Sequence, residues 1–281
     1  MYEKFFEKFL EKKEEIKNEI EKLKKIKIEN LKWKELPKEK ECDVVAIDGS
    51  YNFLKFKSFV FYAISAIAIS YENKKLRVED FYFDVNIFPN FFHEIEEILK
   101  IKMLEKELEF ANRFDKTTIL DGSLSSFYNF KPSFLNYAKN EIAEKSYNEW
   151  KRMKEIIKEI SKKEALVFSI AKNFSINENV LSLVYENLKS GYSEIFEEKG
   201  DLNFIYFYFK LNDKSQVFKC VTFEKNRERV EEILSILKSL EINGYPYILK
   251  KAHYEAKIGN KEMESMAKIL GIVEKTEREI L

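Results

Sequence analysis

Glycine, proline and glutamine are scarce in this chain of 281 residues, which has 7 Gly, 4 Pro and a single glutamine, Gln216. It contains no glycine-rich phosphate loop of either common kind, which argues against a nucleotide site made of backbone amides. The HExxH and GxSxG motifs are missing too, and the Ser and His residues have no recognisable triad spacing. The sequence therefore gives no support to these classes of site.

Cysteine and net charge are equally limited. Cys42 and Cys220 are isolated, which is typical of small buried side chains rather than of a disulfide or zinc framework. The 49 basic and 49 acidic residues give a formal net charge of zero, so no global field draws the chain to nucleic acid or membrane. Any DNA binding must therefore use a local basic groove.

Long hydrophobic runs are absent as well. The longest apolar stretch, Phe59 to Ile69, is too short to span a bilayer, contains Ser65 and is typical of a buried strand. The opening segment MYEKFFEKFLEKKEE is charged throughout and lacks the apolar core of a signal peptide. We therefore expect a cytoplasmic protein without a membrane partner.

The N-terminal segment has a helical pattern. Its apolar residues recur mostly at three- and four-residue steps among Lys and Glu, which predicts a long amphipathic helix over about 2–33. These residues are Phe6, Phe9, Ile16, Ile20 and Leu23. Pro37 ends the section, so we expect a helical segment at 1–36 and one domain at 37–281. The helix either packs on its own domain or serves as the arm of a dimer.

Three consecutive strand patterns follow between Asp43 and Phe88. They read VVAID, FVFYAISAIAISY and LRVEDFYFDVNIF, with Asn73 and Lys74 as the turn between the last two. This pattern predicts an antiparallel meander.

Beyond the meander, helix and strand patterns alternate. Helices are predicted at 91–114 and 133–163 on either side of the strand TTILD, and ALVFSIAK supplies a fifth strand. The remaining predicted elements are a helix near 179–189, the strands NFIYFYFKL and QVFKCVTF, and helices at 227–240 and 247–270. The whole is α/β, or α+β, with a mixed sheet.

Two of the strands lead into Asp-Gly-Ser. Asp48-Gly49 follows one apolar run and Asp121-Gly122 follows another. A strand that stops on Asp and turns on Gly usually presents its carboxylate to a cation, a donor network or water, because an unpaired buried charge is costly. A pair of such strand ends predicts a divalent metal site.

The order of acids and elements is that of ribonuclease H-like nucleases, with acids on the first strand, the first helix and the fourth strand. The helix MLEKELEFA offers Glu105, Glu107 and Glu109. Carboxylates from separate elements can converge on Mg²⁺ or Mn²⁺, which favour oxygen ligands. Glu105 and Glu107 are about 200° apart around a helix, so we expect one to face the metals and the other to lie on the surface.

Four sequence pieces between about Asp43 and Gly259 resemble the NurA nuclease family of archaeal DNA-end processing. They are VVAIDGS, the helical acids followed by TTILDGSL, the strand ending in SIAKNFS, and the late GYPYILKKAHYEAKIG. A single DGS is a common turn, but four pieces in this order are more specific. The resemblance covers most of the chain.

The resemblance implies a set of site residues. The family's strand acids fall on Asp48 and Asp121, its helix acid on Glu107 and its late histidine on His253. All four are expected as metal ligands and catalytic residues, with Mn²⁺, or Mg²⁺, as the cofactor and two ions in the site. With two ions, one activates the attacking water and the other stabilises the leaving oxygen.

Three further residues are candidates for substrate binding, and one of them, Lys172, is also expected to be catalytic. Lys172 follows a buried strand, where it either neutralises charge on a phosphate in the transition state or simply extends to water. Tyr51 stands where family members often carry a basic residue, and it offers a ring for base stacking. Tyr245, with Pro246, either shapes a substrate channel or forms the turn before a helix.

Two weaker signals have a structural interpretation beside the functional one. Ser50 and Ser123 either orient the neighbouring carboxylates or belong to ordinary turns. A helical region combines basic and aromatic side chains as a DNA groove would, but intervening glutamates favour a solvated helix face. Its members are Lys145, Tyr147, Trp150, Lys151, Arg152, Lys154 and Lys158.

The family resemblance also implies a function. It implies a homodimeric, metal-dependent DNA nuclease with 5′ to 3′ exonuclease action on single- and double-stranded DNA and endonuclease action on single strands. It further implies docking on a HerA-type hexameric ATPase during end resection in double-strand break repair. Two alternatives remain: a noncatalytic adaptor of that ATPase, which has no need of converging carboxylates, and a ribonuclease that reads the 2′-hydroxyl.

Overall fold

The computed structural model describes residues 2–24, 32–89, 94–133, 141–172 and 188–272. Helix α1 spans Tyr2–Lys24, and strand β1 spans Trp33–Lys34. The predicted helix was therefore too long at its end, because Trp33 pairs in a sheet with Ser193. Residues 25–31 lie outside the described part of the chain. The main sheet begins at Trp33, before the expected boundary between 36 and 37.

Five strands form the centre of the sheet. They are β2 (Val44–Lys55), β3 (Val60–Glu72), β4 (Lys75–Phe88), β5 (Thr117–Asp121) and β6 (Val167–Ala171). Strands β2, β3 and β4 are antiparallel neighbours, whereas β2, β5 and β6 are parallel. Asn73 and Lys74 form the predicted turn, with φ of 49° and 62°. The meander and the mixed α/β sheet with a ribonuclease H-like core are confirmed.

Shorter strands extend the sheet beyond β6. They are β7 (Gly191–Ser193), β8 (Phe196–Glu198), β9 (Phe204–Lys210) and β10 (Phe218–Phe223). The order is β1-β7-β9-β10-β6-β5-β2-β3-β4, and β8 pairs with β9. Strands β7 and β8 were not predicted, since three residues are too few to display a period. The helix predicted near 179–189 lies mostly in the segment 173–187, outside the described residues.

Helices cover both faces of the sheet. Helices α2 (Ile95–Arg113), α3 (Leu124–Asn129) and α4 (Glu141–Lys162) share one apolar cluster with β2, β5 and β6. On the other face lie α5 (Val230–Ser239), which follows a 3₁₀ turn, and α6 (Tyr247–Ala256). Helix α7 (Asn260–Ile269) packs near β2 and β3. A small hairpin of β11 (Glu241–Ile242) and β12 (Tyr245–Pro246) precedes α6.

Two predicted boundaries are wrong. Strand β2 does not end at Asp48-Gly49 but continues to Lys55, because its second half pairs with β3 alone. The helix predicted over 247–270 is two helices, since Lys257 is extended, with φ −61° and ψ 129°. Strand β5 does end at Asp121, and Gly122 turns the chain with φ 104°.

Two predictions from composition can also be compared with the structure. Both cysteines are free, and Cys220 is buried in the core. Among the described residues, no helix is long and apolar enough to cross a membrane.

Candidate metal centre

Strands β2 and β5 direct their acids toward helix α6. Ala46 and Ile119, two residues before Asp48 and Asp121, pack in the cluster that contains Leu249 of α6. Because side chains two apart share a strand face, both acids point to this helix. The parallel pairing of Ile47 with Leu120 places the two acids side by side on neighbouring strands.

Helix α6 brings His253 onto this pair of acids. Its Nδ1 lies 2.7 Å from Oδ2 of Asp48 and 3.9 Å from Oδ2 of Asp121. One ligand atom from each residue lies within 4.8 Å of the others. His253 keeps a side-chain exposure of 54%, so the cluster is open to solvent on its histidine side. Two strands and helix α6 thus bring Asp48, Asp121 and His253 together at one point.

Glu107 lies beside β2 on the opposite face of the sheet, next to Gly49, and is not among the three residues whose ligand atoms lie within 4.8 Å of one another. It projects from α2 and is only 2% exposed. A Cβ built on Gly49 would lie 2.5 Å from Oε1 of Glu107 and 2.7 Å from Cγ of Met103. The missing side chain therefore gives the glutamate its space. Gly49 thus allows the Glu107 side chain to approach the backbone of a continuous strand, and it does not form the turn that was predicted.

The electrostatics of the cluster are those of acids crowded together. Burial raises the pKa of Asp48 from 3.8 to about 6, Asp121 adds to the rise, and His253 opposes it. Burial, followed by the charges of Asp48 and Asp121, raises the pKa of Glu107 well above its ordinary value. The Gly49 amide counteracts both shifts and donates to Oδ1 of Asp48 at 2.9 Å. Mutual repulsion of this kind is relieved by a cation.

Lys172 and Tyr245 complete the site. The Lys172 Nζ lies 3.1 Å from Oδ2 of Asp121 and 4.8 Å from the centre of the Tyr245 ring. Burial, Asp121 and Asp48 raise the pKa of the Tyr245 hydroxyl. That hydroxyl is buried and makes no hydrogen bond within the described part of the chain. It is a donor beside an anionic cluster, available to an oxygen ligand.

Strand β2 also anchors the helices that present His253. Ser50 Oγ accepts a hydrogen bond from the Ile258 amide at 3.2 Å, and Asn52 Nδ2 donates to the Ile258 carbonyl at 3.1 Å. Ser65 of β3 donates to the Ala256 carbonyl. Asn52 and Ser65 could not be predicted from the sequence, because these bonds join residues about 200 positions apart and leave no local pattern.

Of the two roles considered for Ser50 and Ser123, the orientation of the neighbouring carboxylates is not seen in the described residues. Ser50 bonds to the link between α6 and α7, as described. Ser123 is the N-cap of α3 and accepts from the Ser126 amide at 3.3 Å. Neither hydroxyl bonds to an acid of the cluster in the described ranges. Ser123 therefore has the ordinary turn role, and Ser50 positions the α6–α7 link rather than a carboxylate.

Glu105 does not lie on the surface, contrary to prediction. It is 6% exposed, and its Oε1 is 3.4 Å from Nε of Arg152 on α4. The opposed directions of Glu105 and Glu107 were predicted correctly. The error arose because α4 covers the far side of α2, so both sides of that helix are buried.

Tyr51 and the basic helix lie apart from the acids. Tyr51 packs with the cluster that contains Ile95, on the face of β2 opposite Asp48. On α4, the Lys151 Nζ lies 4.1 Å from the centre of the Tyr147 ring, and Arg152 pairs with Glu109 at 2.6 Å. These contacts within the domain support the helix-face interpretation of α4. The packing of Tyr51 places its ring away from Asp48, Asp121 and His253.

The donor set fits a divalent metal. Asp48, Asp121 and Glu107 offer hard oxygen atoms and His253 a nitrogen, a combination that suits Mn²⁺ and Mg²⁺ better than soft metals. The raised pKa values of Asp48 and Glu107 show that their negative charges are poorly compensated, and a bound cation would stabilise them. The buried Tyr245 hydroxyl, which has no hydrogen-bond partner in the described part of the chain, is a polar group that a ligand could satisfy.

Comparison with known proteins gives one family. The profile of the NurA domain matches residues 42–258. The chain is 29% identical to the probable DNA double-strand break repair nuclease NurA of Methanocaldococcus jannaschii, over 83% of this chain and 79% of that protein.

Two solved structures share the fold. The NurA nuclease of Sulfolobus solfataricus has a TM-score of 0.80 at 22% identity, covering 96% of this chain and 97% of the other. A NurA structure bound to dAMP and manganese has a TM-score of 0.62 at 14% identity, covering 95% and 94%. At these identities the likeness concerns the fold.

Proposed function

The chain belongs to the NurA family, and on that premise we propose that it is a metal-dependent deoxyribonuclease acting in DNA double-strand break repair. It is a hydrolase of the nuclease class, like the curated relative it resembles. The single observation that carries the proposal is the convergence of Asp48, Asp121 and His253 within 4.8 Å. Glu107 of α2 lies next to Gly49, on the opposite face of β2.

The residues around this point have distinct proposed roles. Asp48, Asp121, Glu107 and His253 hold Mn²⁺ or Mg²⁺, and we expect two ions. When bound, such ions activate water and stabilise the leaving oxygen of a phosphodiester. A NurA structure with bound dAMP and manganese supports this choice of metal.

Lys172 and Tyr245 act on the substrate in this proposal. The Lys172 ammonium is 3.1 Å from Asp121, within reach of a phosphate held at the acids, and would stabilise its developing negative charge. The buried Tyr245 hydroxyl would donate a hydrogen bond to an oxygen at the same place. Tyr51 is retained only as a more distant base contact, because it lies on the opposite face of β2.

The finer activity follows the family resemblance. We propose 5′ to 3′ exonuclease action on single- and double-stranded DNA, and endonuclease action on single strands. We also propose that a HerA-type hexameric ATPase is the partner and delivers DNA to the nuclease. The net charge of zero supports such a partner, because the chain has no global attraction for DNA of its own. A chromosomal substrate agrees with the cytoplasmic location expected from the sequence.

Two exposed apolar surfaces support a homodimer. Helix α1 exposes a stripe that includes Phe6, at 61%, and Phe9, at 51%. The edge strand β4 exposes Val78, Phe81 and Phe83 at 55%, 54% and 45%. Large apolar patches on an edge strand are a liability unless they are covered. We propose that a second copy of the chain covers both surfaces.

The dimer proposal has a direct test. Light scattering of the full chain should give the mass of two chains, and Phe81→Glu with Phe83→Glu should give one. Asp84→Asn, on the same strand but outside the apolar row, is the matched control. A wild-type monomer at micromolar concentration would contradict the proposal, and so would an unchanged dimer in the double variant.

The nuclease proposal is tested by cleavage of DNA labelled at the 5′ or 3′ end, and of RNA of the same sequence, with Mn²⁺, Mg²⁺ or EDTA. We expect DNA cleavage with Mn²⁺, none in EDTA, and loss in Asp48→Ala and Asp121→Ala. The two labels distinguish the directions of degradation. Cleavage of RNA alone would favour the ribonuclease, and no cleavage even with the ATPase added would favour the adaptor.

A further inference from the structure

A second surface feature adjoins the acid cluster. A cleft of about 600 Å³ lies where α6 meets α7, beside His253. Its lining includes Asn52, Tyr254, Lys257, Asn260, Lys261 and Glu262. The lining residues named here are polar or charged, and Ile258 forms an apolar part of the wall.

The cleft lies within reach of a strand bound at the acids. Tyr254 follows His253 directly on α6. Asn52 lies four positions beyond Asp48 on the same face of β2, which at 3.3 Å per residue is about 13 Å. Stacked nucleotides rise by about 3.4 Å each, so this distance corresponds to about four nucleotides. DNA held at the acids would therefore extend into the cleft.

The chemistry of the lining fits a single strand of DNA. Tyr254 is 75% exposed, unusual for a large ring. The Nζ of Lys251, which is paired with Glu255, lies 5.7 Å from the centre of the ring. Lys257 and Lys261 are exposed, and neither has a carboxylate within 4.0 Å among the described residues. An aromatic platform beside unpaired ammonium groups is the usual arrangement for holding bases and phosphates of a single strand.

Glu262 is the one acidic residue among those that line the described part of the cleft, and its carboxylate points back toward the backbone at Gly259. The carboxylate of Glu262 lies over Gly259, because a Cβ built there would be 2.4 Å from its Oε2. This is the beginning of α7, where a carboxylate complements the helix dipole. The charge of Glu262 is thus partly offset by backbone amides.

The cleft has a fixed floor. Asn52 Nδ2 donates to the Ile258 carbonyl at 3.1 Å and to Oδ1 of Asn260 at 3.0 Å. Ile258 itself is buried against Phe61 and Met263. These contacts hold the α6–α7 link on β2, so the lining residues are positioned before any ligand arrives.

The geometry points to a single-strand binding subsite in this cleft, in which Tyr254 stacks on an unpaired base and Lys257 and Lys261 contact the adjoining phosphates. The inference rests on the proposed nuclease function and adds to it the surface that receives the strand. A duplex cannot use the Tyr254 ring in this way, because its bases are already stacked. The subsite therefore favours single strands and frayed ends.

The test uses the full-length protein and fluorescence anisotropy with a labelled oligothymidine strand in EDTA, followed by cleavage kinetics with Mn²⁺. Tyr254→Ala should raise the Kd for the single strand by about fivefold or more, the loss of one base–aromatic stack. Its KM should rise in parallel while kcat stays within about twofold. Tyr254→Phe keeps the ring and should keep the wild-type Kd.

The lysines have a separate readout. Lys257→Ala and Lys261→Ala should each lower the slope of log Kd against log salt by about 0.7, the value for one phosphate contact on a single strand. Lys199→Ala, an exposed lysine on the sheet edge paired with Glu197 at 3.1 Å, should leave the slope unchanged.

Two results would overturn the subsite while leaving the nuclease intact. One is a wild-type enzyme that cleaves DNA while Tyr254→Ala keeps both Kd and KM. The other is equal weakening by Tyr254→Phe, which would show that the ring is not what binds. A wild-type protein that neither binds nor cleaves DNA would overturn the nuclease function as well.

Discussion

Replacing Asp48 by Asn should make the metal-free protein more stable at neutral pH. Asp48 is only 5% exposed, and this burial, together with the neighbouring Asp121, raises its pKa to about 6. His253 lowers the pKa in part but does not cancel the rise. Because this pKa is higher in the folded chain than in the unfolded chain, Asp48 contributes stability while protonated, below pH about 4. That contribution is lost as the pH rises through about 6.

The magnitude follows from the size of the shift. A rise from 3.8 to about 6 corresponds to about 3 kcal/mol at pH 8. Asn has the shape of Asp but no charge, so Asp48→Asn should recover most of that free energy. With Mn²⁺ at 100 times its Kd, the wild type should gain about 2.7 kcal/mol and the variant much less, so the difference should nearly close.

The assay is urea unfolding of both proteins from pH 4 to pH 8, in EDTA and with Mn²⁺. The exposed Asp201→Asn is the matched control and should change the free energy of unfolding by less than about 0.5 kcal/mol. The reasoning is refuted if Asp48→Asn is less stable than the wild type in EDTA at pH 8. The carboxylate would then be stabilised by its surroundings rather than strained.

Three further results are expected. Gly49→Ala places a Cβ 2.5 Å from Oε1 of Glu107, so it should cost about 1–3 kcal/mol in urea unfolding and reduce kcat at least about tenfold. Glu107→Gln should reduce kcat by about 100-fold or more. Glu105→Gln, its matched control on the far side of α2, should keep kcat within about threefold of the wild type. An equal loss of kcat in both variants would contradict the assignment of Glu107 as the helix acid of the site. Lys172→Ala should lower kcat by about 100-fold and raise KM by less. A change in KM alone would show that the ammonium only binds the ground-state substrate.

The strands that carry the acids could be predicted from the sequence because their signals are local. Val44 to Ile47 is a short apolar run buried on both faces, and Thr118 to Leu120 is a buried β-branched and apolar run that leads into a glycine turn after Asp121. Those properties show where each strand lies and which polar residue follows its apolar part. The two Asp-Gly motifs therefore indicated which strands carry the acids, although only β5 ends at its aspartate.

The function of Gly49 could not be predicted in the same way. An Asp-Gly pair is a turn signal, yet here β2 continues because Ser50 to Lys55 pair with β3. The need for glycine comes from Glu107, almost 60 residues away, whose carboxylate occupies the space of a Cβ. Contacts at such separation leave no trace in the local pattern.

The division between α6 and α7 was missed for a related reason. Helical periodicity continues through Ala256 and Met263, both buried, so the pattern favours one helix. The chain instead extends at Lys257 to make hydrogen bonds with Ser50 and Asn52 on β2. Tertiary contacts override local propensity there, and they create the cleft beside His253.

The measurement that tests the central claim most directly is a calorimetric Mn²⁺ titration of the wild type and of Asp121→Asn, with cleavage of end-labelled DNA measured on the same samples. The account predicts that the wild type binds Mn²⁺ and cleaves DNA only when the metal is present, and that Asp121→Asn loses both properties. Cleavage by the wild type in EDTA, or undiminished Mn²⁺ binding and cleavage in Asp121→Asn, would contradict it.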